Sequence, residues 1–241
     1  MLNKSGQLTI FIIFALVLIG AAVLFFAFQN NLIRQPTNPD SDRVYNFVQN
    51  CIQEEGAETI YQIGKNGGYF FPTNFSTNSG VAIYFSNNRA YVPSKKQVEN
   101  EISFFMDEKL FFCARNFADF PDLEITQGEI KTETAMENEK VVFNVNYPIR
   151  ISKREDVSLL NNFKTEIPIR AGIVYASVAE FMRNQTAEGI CISCMLEISE
   201  RSDLYVEMMD YDEKTTVFVF RDKNSKINNE EFVWIFANEY G

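Results

Sequence analysis

The 241-residue chain contains no histidine, which excludes Ser-His-Asp and Cys-His nucleophilic catalysis and any zinc site built on imidazole. A net charge of −10 leaves no basic excess to neutralise phosphates, so no nucleic-acid partner is expected. With 23 Phe and 10 Tyr the chain holds enough apolar mass for a buried core, which argues against disorder.

Residues 8–28 form an unbroken run of 21 residues in which Thr9 is the one polar side chain. As a helix this run measures about 31 Å, enough to cross a bilayer core of roughly 30 Å. It is longer than the apolar region of a secretory signal and ends in Phe25, Phe26 and Phe28, which suit no small-residue cleavage site. The reading is a retained single span over residues 8–29, after a cytoplasmic head of residues 1–7. Lys4 precedes the span, Arg34 follows it, and all 32 acidic residues lie beyond Arg34. The short basic head places the N-terminus in the cytoplasm and the remainder outside the cell membrane.

Residues 30–42, with Pro36 and Pro39, read as a linker into an extracellular domain spanning residues 43–241. A helix follows, capped by Asp40 or Ser41 and running to about residue 63, with Val44, Phe47, Val48, Cys51, Ile52 and Ile60 on one stripe. Gly64 is its expected C-cap. Residues 81–85 and 90–92 flank Ser-Asn-Asn-Arg and read as a hairpin. The next helix covers residues 93–113, with a capping box at Ser94 and Gln97 and an apolar face of Val98, Ile102, Phe105, Met106 and Cys113.

Near residue 120 the period changes to two, which marks a candidate sub-boundary. Strands are expected at 123–135, 141–152 and 162–170, with Pro148 at an edge or bulge. A helix over 171–187 and strands at 204–212, 215–222 and 231–240 complete the series, the last in mid-sheet around Trp234. The fold class is α+β, an N-terminal transmembrane helix followed by amphipathic helices and an antiparallel sheet.

Four cysteines, Cys51, Cys113, Cys191 and Cys194, are an even set outside a membrane and read as disulfides. Cys51 and Cys113 lie on the apolar sides of two helices, so one bridge would join them. Cys191 and Cys194 form C-x-x-C, read as a tight local disulfide, with thiol redox activity as a weaker alternative. Asn74-Phe75-Ser76 and Asn184-Gln185-Thr186 are glycosylation sequons. Residues 221–231 lack the glycine of a calcium loop and place Lys226 where a ligand oxygen is needed, so they read as a hairpin turn. No metal, no cofactor and no enzymatic activity are expected.

Lys4-Ser5-Gly6-Gln7, directly before the apolar run, resembles the class III signal of archaeal type IV prepilins. The resemblance implies peptidase cleavage between Gly6 and Gln7 on the cytoplasmic side, with the helix retained for lateral packing. It departs from the family at Phe11, where many pilins carry a glutamate that pairs with a neighbour's terminal amine. "KSGQLTIFII", "NGGYFFP", "YVPSKKQVENEI", "NYPIRI" and "FVWIFANEY" also resemble a group of uncharacterised single-span proteins of small-genome archaea; the resemblance implies the same architecture and a surface location, and supplies no activity or active site to carry over. The functional expectation is a pilin-like or pseudopilin-like membrane-anchored structural or adhesion subunit. Its expected partners are membrane lipid and, through the N-terminal helix, copies of itself or other pilin-like subunits. A non-polymerising extracellular binding module is the alternative, and a membrane-tethered thiol redox protein the weaker one.

Overall fold

Helix α1 (Pro39–Lys65) opens the part of the chain that a computed structural model describes, residues 38–186 and 189–240. The expected head, span and linker residues before residue 38, including Gly6 and Gln7, lie outside the described residues. Among the described residues no helix is long and apolar enough to cross a membrane. The cap of α1 is neither Asp40 nor Ser41: Asn38 Oδ1 accepts the Asp40 amide at 3.1 Å, and Pro39 follows at the helix start, where its missing N–H costs nothing.

The end of α1 also differs from expectation. Gly64 stays helical, and the stop comes at Gly67 and Gly68, whose φ values of +61° and +81° are left-handed. The Gly68 amide donates to the Ile63 carbonyl at 2.8 Å, closing the helix end. Gly64 serves close approach instead, because a Cβ there would sit 2.3 Å from the Val233 carbonyl oxygen.

Strands β1 (Ile83–Ser86) and β2 (Arg89–Ala90) form the expected hairpin. Asn87 and Asn88 both have positive φ, the requirement of a tight turn that matches strand twist. Helix α2 (Lys95–Ala114) starts on the expected capping box: Ser94 Oγ accepts the Gln97 amide at 3.3 Å, and Gln97 Oε1 accepts the Ser94 amide at 2.8 Å. The chain leaves α2 through Arg115, Asn116 and Phe117, three consecutive left-handed residues without glycine.

The run expected as one strand over 123–135 is two, β3 (Glu124–Gln127) and β4 (Lys131–Met136). They lie end to end along one edge of β5 (Val141–Lys153), while β6 (Asp156–Ile167) pairs along its other edge. The break faces Pro148, which has no N–H to give. Its carbonyl accepts the Gly128 amide at 2.7 Å, and the β5–β6 register shifts between Asn146 and Ile149. Val141, Phe143, Val145 and Tyr147 share the buried face of β5, as the alternation implied. Strand β6 starts earlier than residue 162, because hairpin pairing with β5 extends through the solvent-facing half of the strand, where Val157 and Leu159 are exposed.

Helix α3 (Ala171–Arg183) and helix α4 (Ile192–Ser202) follow, the latter starting within the C-x-x-C segment. Strands β7 (Tyr205–Asp210), β8 (Thr215–Ile227) and β9 (Glu230–Glu239) complete a five-stranded sheet in the order β2-β1-β9-β8-β7. Trp234 is buried on β9 in the middle of that sheet, as expected. The sheet is not purely antiparallel, since β1 runs parallel to β9.

Strand β8 continues past residue 222, so the hairpin turn is only Asn228–Asn229, again with two positive φ values. A bulge between Asp222 and Lys226 absorbs the extra length. It is held by Asp222, fully buried, whose Oδ1 meets Arg170 Nη1 at 3.0 Å and whose Oδ2 accepts the Ser225 hydroxyl at 2.5 Å. The pair is satisfied on both sides, which is what keeps a buried carboxylate tolerable.

Two glycines of α1 mark its route across the core. Gly56 rests on Phe143 and Ile167 of the β5–β6 hairpin, and Gly64 rests on Val233 and Phe232 of β9. Phe117 and Phe120, at the anticipated sub-boundary, pack edge-on against Phe47 of α1, and Phe117 also approaches Tyr147 of β5. One buried cluster therefore includes residues from both halves, and residue 120 does not separate two cores.

Candidate functional site

Helix α2 lies beside β4 and buries Val98, Ile102, Phe105, Met106, Leu110 and Ala114. Two side chains on this face complete the unpaired edge of β4: Ser103 Oγ accepts the Thr134 amide at 3.0 Å, and Glu99 Oε1 accepts the Met136 amide at 3.0 Å. The opposite face should then be polar. Instead it carries Phe104, Phe111 and Phe112, which are 59%, 50% and 71% exposed. Phe71, from the loop after α1, adds a fourth ring at 65% exposure.

These rings form two connected groups. Phe70 stacks on Phe105 with centroids 3.7 Å apart, and Phe71 and Phe104 meet Phe105 edge-on at 5.3 and 5.0 Å. Phe111 and Phe112 pack edge-on at 5.7 Å one to two turns further along. A hollow of about 720 Å³ lies between α1 and α2, bounded by Phe71, Phe105, Phe112, Glu54 and Glu108. A second, of about 640 Å³, lies on the other side of Phe112, bounded by Asp107, Phe111, Glu129 and Ile130. Glu108 and Phe112 border both. Contiguous exposed apolar surface of this kind marks interaction sites in soluble domains.

The rim is acidic. Six carboxylates (Glu54, Glu55, Asp107, Glu108, Asp119 and Glu129) and two cations, Lys109 and Arg115, line the two hollows, and Glu129 is paired with Lys131 at 3.2 Å. Lys109 is already engaged by Glu55 at 3.8 Å. Asp107 Oδ1 is buried without a hydrogen-bond partner. Loss of water around it pushes its carboxyl above the usual carboxylate range; Thr132 opposes the rise and the Glu129 charge adds to it.

The disulfide Cys51–Cys113 joins α1 to α2 at this place, with the Cα atoms 5.9 Å apart. Cys113 follows Phe112 in sequence, so the bridge fixes the end of α2 that carries the most exposed ring. Cys191 and Cys194 form the second disulfide, at the start of α4 and outside the α2 surface. Asn74 is exposed in a bend between α1 and β1, and Asn184 is exposed at the end of α3, where its Nδ2 donates to the Glu180 carbonyl at 3.3 Å. Among the described residues no cluster of three or more His, Cys, Asp or Glu could hold a metal ion.

The aromatic surface was missed in the sequence because the α2 stripe accounted for Phe105 alone. The signal was present: in "SFFMDEKLFF" one phenylalanine of the first pair and both of the second fall off the buried stripe, and Phe104, Glu108, Phe111 and Phe112 recur at spacings of four and three. No protein-family model, no curated protein and no solved structure matches the chain.

Proposed function

We propose that the chain is a membrane-anchored cell-surface subunit, pilin-like in its N-terminal signal, which displays residues 43–241 outside the cell and binds a partner through the α2 face. The observation that carries the binding role is the row of exposed phenylalanines inside a carboxylate rim. The apolar run at 8–28 and Gly6–Gln7 support the anchor and its processing. Phe11 favours the single anchored binding module over a long filament, because no buried charge would set register between neighbouring helices.

The partner fitted to this face is a protein segment in which Lys or Arg alternates with apolar side chains. Phenyl faces attract cations, and among the described residues only Glu55 and Glu129 of the six carboxylates are paired with a lysine, Lys109 and Lys131. The same charge works against a second copy of this chain, at −10, and against an anionic bilayer.

The test uses the full-length chain in mild detergent. A Lys/Phe-alternating peptide should bind, with affinity falling at least tenfold for Phe112→Ser and on raising salt, while a Glu/Phe peptide should not. Equal affinity for the variant, or preference for anionic vesicles over the peptide, overturns the docking role. N-terminal sequencing of membrane fractions checks the anchor separately: a start at Gln7 supports processing, and recovery in the soluble fraction refutes membrane attachment.

A further inference from the structure

The second disulfide occupies a place that suits exchange better than support. Its two cysteines are three positions apart, so it closes almost no loop and removes little freedom from the unfolded chain. Cys191 is the N-cap of α4, an 11-residue helix, and its Sγ accepts the Cys194 amide at 3.3 Å. Ser193 Oγ lies 3.6 Å from the same sulfur. A helix start stabilises a sulfur that leaves as thiolate, through the free N–H groups and the positive end of the helix dipole. Cys194 packs against the core, whereas Cys191 stands at the turn into the helix. The exposed apolar side chains of Ile192 and Leu196 flank the pair, and an extended peptide can lie against them.

We infer that Cys191–Cys194 is an exchangeable disulfide that oxidises dithiols in extended or unfolded polypeptide segments. This role is independent of the α2 surface. In the first step a substrate thiolate attacks Cys191 Sγ; the Cys191–Cys194 bond breaks, and its electron pair leaves on Cys194 Sγ, which takes up a proton. In the second, the substrate's other thiolate attacks the substrate sulfur of the mixed disulfide. The substrate closes its own disulfide, and Cys191 leaves as a thiolate beside the Cys194 amide. The substrate dithiol loses two electrons and two protons; the cysteine pair gains both electrons and one proton, on Cys194, and the other proton goes to solvent. A low-molecular-weight disulfide such as glutathione disulfide restores the starting state.

The experiment uses the full-length chain in detergent with a reduced two-cysteine peptide, glutathione disulfide as terminal oxidant and mass mapping after alkylation. The wild-type chain should oxidise the peptide at least tenfold faster than glutathione disulfide alone, with Cys51–Cys113 closed throughout. With a one-cysteine peptide, which cannot resolve the adduct, and glutathione disulfide as the two-electron oxidant, Cys194→Ser should trap a mixed disulfide at Cys191. Cys191→Ser should form one at Cys194 at least tenfold more slowly. Near-UV circular dichroism of both variants checks that the domain stays folded, and peptide binding at the α2 face, unaltered in both, separates this test from that of the docking role. A rate equal to background, equal trapping at the two positions, or opening of both disulfides only together with unfolding overturns the inference.

Discussion

Replacing both Cys51 and Cys113 with alanine removes the bridge between α1 and α2 without leaving an unpaired thiol. The bridge spans a sequence separation of 62, and for a loop of that size the chain-entropy relation gives a loss of ~14 cal/mol/K in the unfolded state, or ~4 kcal/mol at 25 °C. The same relation applied to Cys191 and Cys194, three positions apart, gives only ~1.6 kcal/mol. Urea unfolding is followed conveniently by Trp234, the single tryptophan, which is 1% exposed in the native domain. With a slope of about 2 kcal/mol/M, the double variant should lose about 2 M from its midpoint, and its slope should rise slightly as the unfolded chain expands. The corresponding Cys191/Cys194 double variant should lose less than half as much. A shift below about 0.5 M for the Cys51/Cys113 variant would refute the reasoning, since it would mean that α1 and α2 are held together in the unfolded chain by something other than the bridge.

Gly64→Ala should destabilise the domain by about 2 kcal/mol, because the new methyl group would lie 2.3 Å from the Val233 carbonyl oxygen and 2.7 Å from the Phe232 ring, and overpacking of this sort outweighs the gain in helix propensity; urea midpoints measure it. Asp107→Asn should stabilise the domain by about 0.5 kcal/mol at pH 7, because it removes a charge that loss of water and the Glu129 carboxylate make unfavourable, the gain being small for a side chain half in solvent. The sign follows from the raised carboxyl of Asp107: the native state holds its proton more tightly than the unfolded chain, so wild-type stability falls as pH rises from the ordinary Asp range through the raised value, and the advantage of the variant should vanish below that range in thermal melts.

Periodicity was a dependable guide where one side of an element faces the core. The stripe from Val44 to Ile60 on α1, the capping box at Ser94 and the alternation of Val141, Phe143, Val145 and Tyr147 all appear where the residues place them. It failed where pairing rather than burial extends a strand. The outer half of β6 carries exposed side chains and the end of β8 mostly polar ones, and their pairing with β5 and β9 is what makes them strands. The parallel pairing of β1 with β9 was likewise invisible, because it depends on residues some 150 positions apart. Gly64 illustrates a third kind of miss: in sequence a glycine after an apolar stripe reads as a stop, whereas here its lack of a side chain admits a strand backbone.

The surface on α2 follows from the same accounting. Full burial of a phenylalanine yields about 1.5–3 kcal/mol, so four rings left 50–71% exposed leave roughly 4–7 kcal/mol of transfer free energy unused by folding. That amount is available to a partner, yet it only matches the low end of the ~4–15 kcal/mol lost in translation and rotation on association. Apolar contact alone would therefore bind weakly at this face. In the proposed docking, the carboxylates around Phe112 would supply the remainder through close contact with cations. Binding should then be tight only at low salt, and neutralising Glu108, which borders both hollows, should cost as much affinity as removing the ring beside it.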